Sequence, residues 1–270
     1  MTPTFIYGTA WKKDATADLV KNAVKAGFKA IDTANQPRHY NEALVGDALN
    51  ALAADGISRD SLFLQTKFTP LNGHDSRVPY DPDASLTTQV HESFASSLRH
   101  LNTGRLDSYL LHGPYSYPGL GEEDAEVWSA IEEIYKSGKA GVIGISNVNA
   151  MQLAILIKNA RIPPMVVQNR CYAVRGWDRD VREICRMKEV TYQGFSLLTA
   201  NPNVVHHPTV ARIAERVGVQ PEQVIFRFAM QVGMVPLTGT TNETHMKEDL
   251  RANSIELTRD EVDLIESIAR

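Results

Sequence analysis

The sequence predicts a closed (β/α)8 barrel of the TIM class, formed as a single domain by residues 1–270. Three observations predict it. Short apolar, β-branched runs recur along the chain, stretches of helical spacing separate them, and no glycine-rich phosphate loop follows the first run. Barrels of about 250 residues fold around one core, so the length suits the class.

Phe5-Ile6-Tyr7 is the first candidate strand, and Gly8-Thr9-Ala10-Trp11-Lys12-Lys13 follows it where an open nucleotide-binding sheet would carry G-x-G-x-x-G. Leu19, Val20, Ala23, Val24 and Ala26 form the apolar face of a helix that ends at Gly27. Ala30-Ile31 is the second strand, and Leu44, Val45, Ala48, Leu49 and Leu52 mark the next helix. After the third strand, Leu62-Phe63-Leu64, residues 69–83 form the longest irregular stretch, with Pro70, Gly73, Pro79 and Pro82. Tyr109-Leu110-Leu111 precedes a loop at 113–121 and a helix carrying Val127, Ile131, Ile134 and Tyr135, closed by Gly138. Val142-Ile143-Gly144-Ile145 and Met165-Val166-Val167 are the fifth and sixth strands. Val190-Thr191-Tyr192-Gln193-Gly194, a weaker seventh, leads to an irregular stretch at 199–208 and a helix with Val210, Ile213, Ala214 and Val217. Met234-Val235-Pro236-Leu237 is the eighth. Runs that are apolar throughout indicate strands covered on both faces, as helices cover a parallel sheet. Each irregular stretch follows a strand, where barrel enzymes build their sites.

Lys and Arg total 28 against 32 Asp and Glu, a net charge of −4, and no basic block occurs, which excludes a nucleic-acid partner. A hydrophobic share of 43% with 22% charged residues fits a globular chain. Cys171 and Cys185, the only cysteines, are too few for a disulfide framework or a metal cluster and fit a reducing compartment. His206 and His207 are adjacent and face apart, so no metal site is expected. No basic-then-apolar leader and no membrane-length apolar run is visible, so a cytoplasmic protein without a membrane partner, a monomer or weak homodimer, is expected.

Residues just past the strand ends of a barrel converge on one mouth. Those positions hold Asp32, Lys67, His112, Ser146-Asn147, Gln168-Asn169, Phe195-Ser196 and Thr238-Gly239-Thr240. Asp32 and Lys67 are expected to pair, because unpaired buried charges are too costly to keep. Singly, each of Asp32, Lys67 and His112 has a structural reading; on three successive strands, at one end, they point to chemistry.

Gly8-Thr9-Ala10-Trp11, Ala30-Ile31-Asp32-Thr33-Ala34, Tyr40-Asn41-Glu42-Ala43-Leu44-Val45-Gly46, Thr66-Lys67, Leu110-Leu111-His112 and Gly144-Ile145-Ser146-Asn147, in this order, resemble the aldo-keto reductase superfamily from residue 5 to about 268. The resemblance implies reduction of aldehyde and ketone carbonyls with hydride from NADPH, NADH being possible. By match, Tyr40, Lys67, Asp32 and His112 form the catalytic tetrad. Tyr40 would give the proton, Lys67 would make the phenol acidic, Asp32 would hold Lys67 charged, and His112 would donate to the substrate oxygen. An ammonium about 4 Å away supplies roughly 4 kcal/mol at an effective dielectric of 20, about what a phenol needs to become acidic near neutral pH. The resemblance also places Phe195 on the nicotinamide, Ser146, Asn147 and Gln168 on its carboxamide, and Ser196 and Leu198 at the pyrophosphate. Gly8, Thr9, Ala10, Thr238, Gly239, Thr240, Thr241, His245 and Asp249 complete the implied cofactor set.

The pattern departs from the family in four places. The tyrosine usually stands five residues after the aspartate, where this chain has Pro37; counting back from Asn41-Glu42 reaches His39, which stays open as an alternative acid. The arginine that clamps the 2′-phosphate aligns with His245, Lys247 lying nearby, and the usual Pro-Lys-Ser reads Pro236-Leu237-Thr238. Gly113 replaces a frequent aromatic, and the chain ends soon after its last predicted helix. A wide site lined by Trp11, Tyr80, Tyr115 and Tyr117 is therefore expected. Two other readings are compatible: a class I aldolase with Lys67 as Schiff-base nucleophile, and a non-catalytic nicotinamide-nucleotide sensor.

Overall fold

The computed structural model describes residues 3–269, in which strands and helices alternate from end to end. In chain order they are β1 (Ile6–Gly8), α1 (Thr16–Ala26), β2 (Ala30–Asp32), α2 (Glu42–Ala54), β3 (Phe63–Phe68), α3 (Leu86–His100), β4 (Leu106–Leu111), α4 (Glu122–Lys136), β5 (Ala140–Ser146) and α5 (Ala150–Asn159). Then come β6 (Val166–Arg170), α6 (Arg179–Met187), β7 (Thr191–Phe195), α7 (Pro202–Val205), α8 (Pro208–Val217), α9 (Pro221–Gln231), β8 (Met234–Thr238), α10 (Glu243–Arg251) and α11 (Arg259–Ser267). The strands pair in parallel in chain order and β8 returns to β1, closing the barrel that the apolar runs predict. Residues 199–208, expected to be irregular, hold the single-turn helix α7.

Side-chain alternation along the strands builds two cores. On β3, Leu64 and Phe68 turn outward into the main cluster beneath the helices, whereas Phe63 joins Ile6, Ala30 and Leu237 in a small cluster inside the barrel. Above that cluster the interior is polar. Gln65 Nε2 donates to Asp32 Oδ1 at 2.7 Å and to Gln193 Oε1 at 2.7 Å, and Gln168 Nε2 donates to the same two oxygens at 3.0 and 2.9 Å. Every member is buried and bonded, which is the condition under which a polar layer holds a core rigid.

The Asn41-Glu42-Ala43-Leu44-Val45-Gly46 segment starts α2. The Asn41 side chain accepts from Leu44 N at 3.2 Å as the helix cap. Glu42, buried, accepts from Ser97 Oγ of α3 at 3.0 Å. Gly46 lets the two helices meet, because a Cβ there would lie 2.0 Å from the His100 carbonyl oxygen. Gly46→Ala is expected to cost about 2 kcal/mol or more, in the range of overpacked cores, and to lower the thermal midpoint by several degrees. An unchanged midpoint would contradict this backbone approach.

Among the described residues no helix is long and apolar enough to cross a membrane, and no group of three or more His, Cys, Asp or Glu could hold a metal ion. Both cysteines are free and buried.

Candidate active site

Two cavities, of about 750 and 960 Å³, open at the C-terminal ends of the strands. Both are lined by Ala10, Trp11, Tyr40, His112, Phe195 and Ser196, so they meet there. Four wall residues are held in the left-handed region that most side chains avoid: Trp11 at φ 64°, Asn147 at φ 58°, Asp178 at φ 57° and Ser196 at φ 56°. Such strain persists only where the surroundings enforce it.

Asp32 and Lys67 pair as the cost of buried charge requires. Lys67 Nζ donates to both Asp32 carboxylate oxygens at 2.7 Å and to the Thr33 carbonyl at 2.8 Å, with its side chain 0% exposed. It stands 5.5 Å from the centroid of the Tyr40 ring, which is 6.0 Å from the His112 ring. Of these two cavities His39 lines the larger and not the smaller; its ring is 4.0 Å from Trp11, and its Nδ1 is 2.8 Å from Gln36 Oε1.

The electrostatics at Tyr40 run opposite to the expected lowering of its phenol. Burial pushes the Tyr40 phenol up from its ordinary value, the Asp32 carboxylate adds to the rise, and the Arg170 guanidinium opposes it. The neighbouring ammonium donates to both Asp32 carboxylate oxygens and to the Thr33 carbonyl, so its charge is paired with the carboxylate. Burial, with Lys67 next, holds the His112 imidazole well below the usual histidine range, so it is neutral. His112 Nδ1 lies 2.7 Å from Thr69 Oγ1. Thr69 is itself pinned, its carbonyl accepting from Tyr80 Oη at 2.9 Å and His74 Nε2 at 3.0 Å.

The smaller cavity runs from this junction past Gly8, Ser146, Gln168 and Leu198 to Thr238, Gly239, Thr240, His245 and Asp249, gathering most of the expected cofactor set. Three expected residues lie elsewhere. Thr9 is buried and its hydroxyl donates to the Asp32 carbonyl at 3.0 Å, so it braces β2 and does not face the cavity. Thr241 lies beyond the wall, and Asn147 lines the larger cavity, its amide donating to the His112 carbonyl at 2.8 Å. Lys12, Gln220, Glu222, Gln223 and Glu248 also line the smaller cavity. The Lys12 ammonium donates to the Gly239 carbonyl across the cleft. Burial pushes the Asp249 carboxyl up to about 6 although Thr238 Oγ1 donates to it at 2.8 Å.

Trp11, Tyr115 and Tyr117 line the larger cavity as expected, with Trp11 65% and Tyr117 86% exposed. Tyr80 does not: it is 6% exposed, packed against Phe68, and its hydroxyl is spent on Thr69. Asp124 of α4 holds the 113–121 loop by accepting from Tyr115 N and Gly121 N at 2.7 and 2.9 Å. A Cβ on Gly113 would meet Asn147 Cβ only at 3.8 Å, so the pocket is wide there. Arg170 and Arg175 line the same cavity.

A closed parallel barrel with an aspartate, a lysine, a tyrosine and a histidine gathered at its mouth is the class that fold and site define. The sequence model of the Aldo/keto reductase family matches residues 4–270, and the chain belongs to that family. Similar proteins include a member of aldo-keto reductase family 4 of Arabidopsis thaliana, 30% identical over 86% of this chain and 74% of its own length. A glyoxal reductase of Bacillus subtilis is 29% identical over 93% of this chain and 82% of its own. An NADPH-dependent codeinone reductase of Papaver somniferum is 29% identical over 92% and 78%. Among solved structures, an aldo/keto reductase from Brucella melitensis superposes with a TM-score of 0.82 at 26% identity, covering 98% of this chain and 95% of that one.

Proposed function

We propose that this chain is an oxidoreductase that reduces aldehyde or ketone carbonyls, with a nicotinamide nucleotide in the smaller cavity, substrate in the larger, and Tyr40 giving the proton. The observation that carries this reading is that Tyr40 and His112 line both cavities where they meet. The residues present suit the nucleotide: an aromatic face at Phe195, hydroxyl and amide groups at Ser146 and Gln168, and a long cleft ending at Thr238-Gly239-Thr240. Bound there, the nucleotide supplies hydride.

The side chains supply the rest. His112, neutral and held through Nδ1 by Thr69, keeps Nε2 for the carbonyl oxygen; a proton on that nitrogen stabilises the charge that oxygen gains. Tyr40 stays protonated throughout the neutral range, because its phenol is pushed up. An alkoxide is a far stronger base than a phenolate, so even a raised phenol gives up its proton once the oxygen has become an alkoxide. Lys67 and Asp32 form the buried floor that fixes the Tyr40 ring. Schiff-base chemistry at Lys67 gains no support: the amine lines neither cavity, is fully buried, and has all its hydrogens engaged. Room for a second molecule beside the nucleotide favours turnover over sensing. Consumption of reduced nucleotide with para-nitrobenzaldehyde tests the reading.

The resemblance favours NADPH, but the far end of the smaller cavity sets Glu222, Glu248 and Asp249 against Lys12 and His245, with no guanidinium. A 2′-phosphate finds no bidentate partner there and meets carboxylates. Fluorescence titration is expected to give dissociation constants for NADH and NADPH within about tenfold, or ~1.4 kcal/mol, of each other. A preference for NADPH beyond about a hundredfold, ~2.7 kcal/mol, would contradict this account of the pocket.

A further inference from the structure

The end of β6 carries a cation that the proposed reaction does not use. The Gln168 side chain turns into the barrel toward Asp32 and Gln193, and the Asn169 amide turns away toward the Val148 carbonyl at 2.7 Å. Strand alternation returns the next residue, Arg170, to the inner face one step above Gln168, at the rim. Its Cζ stands 5.5 Å from the centroid of the Phe195 ring. A guanidinium laid on a ring keeps its N–H edge free. Of five N–H donors, one meets a partner, Tyr172 Oη at 3.4 Å, and no carboxylate among the described residues lies within ion-pair distance.

The surroundings leave that charge uncompensated. Asp178 is the one carboxylate on the wall of the larger cavity, and its Oδ2 already accepts from Asn169 Nδ2 and Tyr192 Oη, each at 2.8 Å. Arg175 adds a second guanidinium to the same wall, its Cζ 5.1 Å from the Tyr172 ring centroid. Arg170 lines the larger cavity and not the smaller, so nucleotide phosphates are not its counterpart. Arg170 and Tyr40 line the same cavity, so the guanidinium faces the space in which the substrate would react.

Resting on the carbonyl-reductase reading, we propose that Arg170 determines specificity by anchoring an anionic group of the substrate, so that preferred carbonyl compounds carry a carboxylate or a phosphate. Charge-assisted, bidentate recognition is what a free guanidinium edge offers such a group.

The test compares kcat/KM for para-carboxybenzaldehyde and its methyl ester, and for glyceraldehyde 3-phosphate and glyceraldehyde, in the wild type, Arg170→Gln and Arg170→Lys. The anionic member of at least one pair is expected to be favoured about tenfold or more, and the pair that discriminates identifies the anion. Arg170→Gln is expected to bring that ratio close to one, mainly through KM, while Arg170→Lys keeps part of it. Added salt is expected to lower the wild-type ratio, since the guanidinium is exposed; this measurement decides if Arg170→Gln fails to fold. Wild-type ratios near one for both pairs, or a ratio that survives in Arg170→Gln, would overturn the proposal while leaving the reductase reading intact. No turnover of any of the four compounds with either nucleotide would remove the reductase reading and the proposal with it.

Discussion

Replacing Tyr40 by phenylalanine is expected to lower kcat about a thousandfold, within the 10²–10⁴ range of a positioned general acid, while nucleotide affinity and thermal midpoint stay nearly unchanged. The phenylalanine ring keeps the packing between Lys67 Nζ, 5.5 Å from the ring centroid, and the His112 ring, 6.0 Å away. Only the hydroxyl is lost, so a fall in kcat reports chemistry. The pH profile carries a second expectation. A phenol pushed up by burial holds its proton to higher pH than an ordinary one, so no alkaline limb from Tyr40 appears below about pH 10. A Tyr40-dependent limb between about pH 7 and 8 would restore the ammonium-lowered phenol that the resemblance implied. Retained kcat in Tyr40→Phe would move the acid to His39.

Removing the Asp32 carboxylate is expected to be strongly destabilising, because it strips a buried ammonium of its partner. Lys67 is fully buried, and Asp32→Ala leaves it with the Thr33 carbonyl as sole acceptor, while Gln65 and Gln168 each lose one of two acceptors and keep Gln193. An uncompensated buried charge costs about 3–5 kcal/mol. Urea unfolding is expected to show a loss of that size together with loss of turnover. In this variant burial keeps the Lys67 ammonium below its unfolded value, so the unfolded chain binds more protons than the folded one, and stability rises with pH. Asp32→Ala with Lys67→Met is expected to recover most of the stability and none of the activity, because no charge then remains to be buried. A single variant within about 1 kcal/mol of the wild type would contradict the account of the pair.

All eight strands are legible in the sequence because burial on both faces makes them apolar runs that loops do not imitate. Asp32, Lys67 and His112 are legible because each stands at the end of such a run, where topology alone decides its place. Side-chain direction is less legible. Thr9 and Tyr80 have the right sequence position and turn to backbone carbonyls of Asp32 and Thr69, a choice made by local hydrogen bonding. Gln65 and Gln193 look like interruptions in apolar strands, and only the closed barrel brings them together to bond each other. Glu222 and Gln223 reach the smaller cavity because α9 packs against β8, a tertiary fact with no local signature. Arg170 was within reach: reading the sixth strand three residues past Val167 by strict alternation places it on the rim.

The most direct measurement uses a reduced nucleotide deuterated at the reactive carbon of its dihydropyridine ring, with para-nitrobenzaldehyde as acceptor and mass spectrometry of the alcohol formed. The account predicts one deuterium on the carbinol carbon, formed by the wild type and about a thousandfold more slowly by Tyr40→Phe. An alcohol without deuterium, or no alcohol with either NADH or NADPH, would contradict hydride transfer at this mouth.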